Sequence, residues 1–443
     1  MPSSHPRTAA CHWFSHLAAP LDVRSAPRLA WLLLGALLAR GRRTVTSWIR
    51  AAGLAEQFRP CYTALAAAGT RADGIAARLV LDTVRPLVGS ADRLTFALDD
   101  TPSPRYGKHV QGAGVHHNPA PGPAGSPFLY GHVWVVLALL AAHPAWGTVA
   151  LPLLARLYVR AKDLPALPAG CRPPFRTKLE LAAELLRWAA CWFGSLGKPL
   201  WAVVDGAYAK APFLRPMRAL GVVVVSRLRK DAHLRSVPGP HDGRRGRPRI
   251  YGERRIELAK RAGQRRGWSA ETFTLYGKAV AKRYKTFRAT WRPAGGPIRV
   301  VLVDEPAGWV AYFCTDVSAS VADILGLVAA RFSIETTFRD CKDIVGAGQQ
   351  QVRRLTANVG AWHVCLWAYT LTEAWAWGRP AAELVGHRSA SPWDDPGRRP
   401  SHADKRRAWR RELLAEEIRA VLQAGRGEAE MLAAAERLLS LAA

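Results

Sequence analysis

From His132 to Val159 the chain runs almost without charge, Arg156 being the exception. A run of that length either crosses a bilayer or lies deep inside a fold. The segment A-H-P-A-W-G-T interrupts it, and Pro152 stands inside its second half, where a membrane helix would lose a backbone hydrogen bond. Strands covered on both faces read as continuous apolar runs. The segment is therefore read as two buried strands, about 132–141 and 147–154, joined by a tight turn. No transmembrane helix is expected, and the N-terminus lacks the apolar core of a signal peptide.

The elements around this pair fall in a definite order. L-T-F-A-L-D-D reads as a first strand, and the Pro-, Gly- and His-rich stretch 102–128 as loop. After the two apolar strands, residues 176–194 carry apolar positions at helical spacing. W-A-V-V-D-G-A is a strand, K-A-P-F-L-R-P-M-R-A-L a helix and V-V-V-V-S a further strand. Three strands, helix, strand, helix, strand is the order of a ribonuclease-H-like α/β core. Alternation in E-T-F-T-L-Y-G, F-R-A-T-W-R, I-R-V-V-L-V and W-V-A-Y-F-C-T then predicts short strands where a helix would be due. The expected division is a helical DNA-binding region at 1–90, the first part of the core at 91–228, a β-rich insertion at 229–315, the core resumed at 316–378, and a basic linker with C-terminal helices at 379–443.

Lys and Arg total 63 against 34 Asp and Glu, a formal net charge of +29 on 443 residues. GC-rich coding exchanges Lys for Arg but creates no net charge, so the excess suits a polyanionic partner, nucleic acid first. The 49% hydrophobic content excludes a disordered coating tail. Seven cysteines are scattered without a C-x-x-C or a Cys/His cluster, which argues against a disulfide framework or structural zinc and fits a reducing cytoplasm.

Three separated acids carry the chemistry. Asp99 and Asp100 end one apolar run (L-T-F-A-L-D-D-T) and Asp205 another (W-A-V-V-D-G), while Glu335 lies in R-F-S-I-E-T-T-F-R-D-C-K. At roughly 100° per residue on a helix, Arg331 falls about 40° from Glu335 and Lys342 about 20° on its other side. A carboxylate flanked by two cations on one helical stripe, with two acids at strand ends, describes a two-metal phosphoryl-transfer site. Mg²⁺ takes oxygen ligands, so carboxylates without His or Cys are the expected donors for two Mg²⁺ ions, for which Mn²⁺ can substitute.

At these residues the chain resembles the DDE transposases of bacterial insertion sequences, in the insertion-sequence-four-like branch with the signature Y-x-x-R-x-x-x-E-x6-K. Arg331, Glu335 and Lys342 match its last three positions, and Val328 stands where the Tyr belongs. V-D-G-A-Y resembles the second-Asp segment and L-D-D-T the first; the family's catalytic Asp precedes a Thr, which selects Asp100 over Asp99. The resemblance implies Asp100, Asp205 and Glu335 as catalytic metal ligands, with Asp100 bridging the ions and Arg331 and Lys342 on DNA phosphates. It further implies cut-and-paste transposition, with element ends and target as double-stranded DNA partners, and a homodimer on the DNA. A stand-alone ribonuclease-H-like nuclease, or a non-catalytic DNA-binding protein derived from a transposase, are the alternatives.

Weaker signals remain. Arg43 and Trp48 lie in a helix, Gly-containing turn, helix pattern that fits either a helix-turn-helix or an ordinary hairpin with Trp48 in its core. Arg245 and Arg247, in R-R-G-R-P-R, fit an AT-hook in a minor groove or a solvated basic loop. Trp309, with Trp291 as rival, is either a base-stacking aromatic or core. His109, His116, His117 and His132 fit zinc ligands or a general base, but their Pro/Gly loop setting favours DNA contacts or surface, and the aromatics of W-H-V-C-L-W-A-Y read as helix core.

Overall fold

The computed structural model describes residues 9–118, 125–239, 248–385, 395, 397–423, 431, 432 and 435. Five helices come first: α1 (Ala9–Ala18), α2 (Ser25–Leu38), α3 (Val45–Ala51), α4 (Phe58–Thr70) and α5 (Ala72–Leu79). Thr44 caps α3 by accepting from the Ser47 amide at 3.2 Å, and Gly53 ends it with φ +73°. A Cβ on Gly35 would lie 2.1 Å from the Trp48 carbonyl oxygen, so glycine lets α2 and α3 touch. Trp48 is fully buried, which makes it a core residue of this hairpin.

The strands follow: β1 (Leu94–Pro104), β2 (Gly114–His117), β3 (Phe128–His143) and β4 (Gly147–Tyr158). Then come α6 (Lys178–Phe193), β5 (Leu200–Val204), α7 (Ala211–Ala219), β6 (Val223–Leu228), β7 (Leu234–Arg235), β8 (Arg255–Ile256) and α8 (Leu258–Gly263). Next are β9 (Ser269–Leu275), β10 (Lys278–Trp291), β11 (Gly296–Asp304) and β12 (Val310–Cys314). Four helices close the chain: α9 (Val321–Asp340), α10 (Leu355–Ala376), α11 (Ala381–Val385) and α12 (His402–Gln423).

The strands join in one mixed sheet of order β2-β3-β1-β5-β6-β12-β11-β10-β7-β8, with β4 on β3 and β9 on β10. β1, β5 and β6 run parallel; β3 is antiparallel to β1 and to β4. The apolar run that opened the sequence is the β3–β4 hairpin, and among the described residues no helix is long and apolar enough to cross a membrane. The stretch 102–128, expected as loop, contains the end of β1 and the short β2, because β3 is long enough to pair with both. The four alternating segments after β6 form β9 to β12, and β12 pairs antiparallel with β6, so the sheet continues through them.

Helix α10 covers the free edge of β4 and satisfies it with side chains. The Ala155 amide donates to His363 Nε2 at 3.0 Å; Trp367 Nε1 and the Thr370 hydroxyl donate to the carbonyls of Leu153 and Pro152 at 3.0 and 2.7 Å. α10 is buried on nearly every side, so its aromatics are core. The basic tail is anchored. Glu373 of α10, buried, accepts from Lys405 Nζ at 2.5 Å and pairs with His402 Nδ1 at 2.7 Å, both on α12. Arg406 donates to the carbonyls of Ala36 and Ala39 at the end of α2, at 3.1 and 2.7 Å.

Candidate functional site

Leu98 on β1 lies opposite Val204 on parallel β5, and the next pair in that register is Asp99 and Asp205. Asp205 keeps an extended backbone, φ −68° and ψ 157°. Side chains alternate along a strand, and in-register residues of parallel neighbours share a face. Phe96 packs on Phe193 of α6, ring centroids 5.2 Å apart, so the even positions of β1 face α6. Asp100 points the same way, and Asp99 points across the sheet to α9.

Hydrogen bonds agree with this division. On the α9 face, Arg331 Nη1 donates to Asp99 Oδ2 at 2.7 Å and Nη2 to Glu335 Oε1 at 2.8 Å, so one guanidinium joins two acids. On the α6 face, Lys178 Nζ donates to Asp100 Oδ2 at 2.6 Å and the Tyr208 hydroxyl to Asp100 Oδ1 at 3.1 Å. Asp205 Oδ2 accepts from the Ala207 amide at 3.1 Å, which starts the turn carrying Tyr208. Burial pushes the Asp99 carboxyl up to about 6 against the pull of Arg331, and the charges of Asp100 and Asp205 push the same way. Burial, then Asp100, Asp99 and Asp205, raise the Tyr208 phenol well above its ordinary range, so it stays a donor.

Asp99 and Asp100 in mid-β1 and Asp205 just past β5 thus lie near one another, and Arg331 links Asp99 to Glu335 of α9, while Lys178 pairs with Asp100 on the other face. Their donors are all oxygen, which suits Mg²⁺ or Mn²⁺. Among the described residues no three His, Cys, Asp or Glu converge into a metal-holding cluster. Arg331 and Lys178 occupy carboxylate oxygens there, and an ion entering would have to take their place.

Residues 16–296, well over half of the chain, match the family described as DDE superfamily endonuclease. The chain belongs to that family. No curated protein matches it. Asp99, Asp100 and Asp205 of this DDE endonuclease lie inside the matched span, and Glu335 lies beyond it.

The remaining sequence-predicted residues are dispersed. Lys342 is the second residue of a π turn (Cys341–Val345) that ends the regular winding of α9; it is half-buried, burial lowers its ammonium pKa, and it has no ion pair among the described residues. Arg43 is half-buried under the loop that follows: its amide donates to Gln349 Oε1 at 2.8 Å and its carbonyl accepts from Gln350 Nε2 at 2.9 Å. Trp309 is partly exposed, with Lys230 Nζ 4.8 Å from its ring centre, whereas Trp291 is buried against Phe313. Arg245 and Arg247 lie outside the described residues.

Two of the histidines expected on the surface are buried. His132 accepts at Nδ1 from Arg105 Nε (3.1 Å) and donates from Nε2 to the Gln111 carbonyl (3.0 Å); burial, with Arg105, lowers its pKa to about 3. Arg105 also reaches the carbonyls of Gly348 and Gln350 at 2.9 and 2.7 Å, tying the end of β1 to the loop behind α9. Lys178 and Tyr208 escaped the sequence reading. Tyr208 stood in the V-D-G-A-Y segment without a role, and Lys178, 78 residues from Asp100, gave no local signal.

Proposed function

We propose that this DDE endonuclease is a transposase that binds the ends of a mobile element and cleaves and rejoins DNA with divalent metal. The observation that carries the reading is the Arg331 guanidinium joining Asp99 of β1 to Glu335 of α9, with Asp100 next along β1 and Asp205 directly after the neighbouring β5. The strand order β4-β3-β1-β5-β6, with β3 alone of the inner strands reversed, supports a ribonuclease-H-like core. The added strands β9 to β12 support a β-rich insertion. The net charge of +29 supports a polyanionic substrate.

In this reading Asp205 and Glu335 hold metal together with the aspartate pair of β1. Asp100 is the residue the resemblance selects, and Asp99 joins it because it shares a face with Glu335. Bound Mg²⁺ supplies activation of the attacking oxygen and stabilisation of the leaving one. The chain's own cations do the rest. Arg331 and Lys178, which hold the carboxylates in this structure, would stand beside a bound ion and could engage DNA phosphates. Tyr208 holds the Asp100 carboxylate in orientation by donating to one of its oxygens.

The test is a strand-transfer assay on the DNA flanking the gene. Cleavage at the element ends with joining to a target supports a transposase; cleavage without joining makes the chain a nuclease, and neither in Mg²⁺ or Mn²⁺ rejects the enzyme reading.

A further inference from the structure

Two elements far apart in the sequence bring arginines to one place. Arg406 of α12 is buried and donates from Nη2 to the carbonyls of Ala36 and Ala39, which fixes α12 against the end of α2. The chain turns there through Arg40, Arg42 and Arg43 into α3, and Arg40 and Arg42 are exposed. Arg43 and Arg410 lie within electrostatic reach of Arg406, and Arg40 within reach of Arg410. Residues 406 and 410 stand one helical turn apart, on the same face of α12.

Like charges held together raise the energy of a fold, and an arginine keeps its proton in a protein. Burial lowers the pKa of Arg43 and of Arg406, and the charges of Arg43 and Arg410 push Arg406 the same way. Cys365 beside them is no counter-ion, because burial pushes its thiol up to about 12 and leaves it neutral. Next along α12, Lys405 has the buried carboxylate of Glu373. Among the described residues Arg43 and Arg406 have no such acid, and their buried Nε atoms have no hydrogen-bond partner. Guanidinium groups gathered without carboxylates suit phosphate, whose oxygens accept from several N–H groups at once. The exposed Arg40, Arg42 and Arg407 extend the charge beyond the buried pair, so the surface fits a run of phosphates better than one small anion.

We propose that the α2–α3 turn and α12 together form a ridge that binds the backbone of duplex DNA. The sequence alone expects Arg43 at the DNA; the fold adds α12. The proposal rests on the DNA-cleaving reading and assigns a second place where the duplex is held. Buried hydrogen bonds tie this ridge to the acids. Gln350 donates to the Arg43 carbonyl at 2.9 Å, and its own carbonyl accepts at 2.7 Å from Arg105, directly after β1. Phosphate contacts fix register without reading sequence, so a duplex on the ridge is held in register with Asp99 and Asp100.

The experiment measures binding of the full chain to a blunt duplex in Ca²⁺ across a salt series. Arg410→Gln and Arg43→Gln are each expected to weaken binding about tenfold at low salt. Each should also make the log–log salt slope shallower by about 0.9, the share of one phosphate contact. Arg410→Lys should keep the slope, since counterion release follows charge, and this separates a lost contact from a damaged helix. Arg187→Gln, which removes an exposed charge from α6, should bind as wild type does. A wild-type slope and affinity in Arg410→Gln overturns the ridge whatever Arg43→Gln does, because α12 would then stand outside it. So does an equal loss in Arg187→Gln, which would make the effect one of net charge. Inorganic phosphate that raises the melting temperature of wild type but not of Arg43→Gln, with duplex binding alike in both, gives the site to a small anion and also overturns it. Failure of wild type to bind the duplex would instead sink the DNA-cleaving reading beneath it.

Discussion

The guanidinium of Arg331 lies 2.7 Å from the carboxylate of Asp99, closing 232 residues of sequence between the middle of α9 and the middle of β1. Because the same guanidinium holds Glu335, its planar fork matters as much as its charge. Arg331→Ala is expected to slow DNA cleavage by roughly 10- to 100-fold, the value of one or two charged hydrogen bonds. Arg331→Lys should lose nearly as much, since an ammonium cannot span both acids. Wild-type cleavage by Arg331→Lys would reduce the residue to a point charge.

The two neighbours on β1 make a sharper comparison. Asp99 shares its face with Glu335, and Asp100 faces Lys178 and Tyr208. Asp99→Asn is expected to lose at least as much cleavage as Asp100→Asn when the two are measured side by side in Mg²⁺. Near-normal cleavage by Asp99→Asn, with Asp100→Asn inactive, would leave Asp100 as the working acid alone.

Much of this was legible in the sequence. The β3–β4 hairpin, the helices α6 and α7, and the apolar runs of β1 and β5 that lead into Asp99 and Asp205 all follow from apolar periodicity, because burial on one or both faces writes that pattern. What was not legible depends on distance. Lys178 sits on Asp100 because α6 crosses back over the sheet, and His132 is buried because Arg105 and the loop behind α9 close over it. The winding of α9 changes at Cys341, so the even stripe assumed for Lys342 ends at the last residue before it. Lys405 and Arg406, read in the sequence only as part of a basic tail, are held by Glu373 and by the carbonyls closing α2.

Acid sensitivity follows from three buried histidines. Burial is the leading cause that lowers the pKa of His132 to about 3 and those of His116 and His363 to about 4, from an ordinary 6.5. Each is neutral in the fold and protonates first in the unfolded chain, so its stabilisation is complete above 6.5 and is lost as pH falls through the folded values. The melting temperature should decline steadily from pH 7 toward pH 4. A flat profile over that interval would mean these side chains stay accessible to protons.

Glu373 governs the C-terminal helix in a lower window. Burial alone would raise its pKa, but Lys405 and His402 outweigh that and bring it to about 2 from 4.5. Its contribution is therefore present above pH 4.5 and lost as pH drops toward 2. At neutral pH, Glu373→Leu leaves Lys405 buried without its partner and should cost roughly 3–5 kcal/mol. Limited proteolysis should then release α12 early; wild-type resistance would show that the Trp375–Trp409 stack, 5.4 Å between centroids, holds the helix by itself.

The central claim is that Asp205 and Glu335, with the aspartate pair of β1, perform DNA cleavage. It is tested most directly by nicking of supercoiled plasmid in Mg²⁺ by wild type, Asp205→Ala and Glu335→Ala, with DNA binding measured in parallel in Ca²⁺. The account predicts that wild type nicks the plasmid, and that both variants bind DNA as wild type does while leaving the plasmid intact. Cleavage by Glu335→Ala at the wild-type rate would contradict it, because the acid of α9 would then stand outside the chemistry.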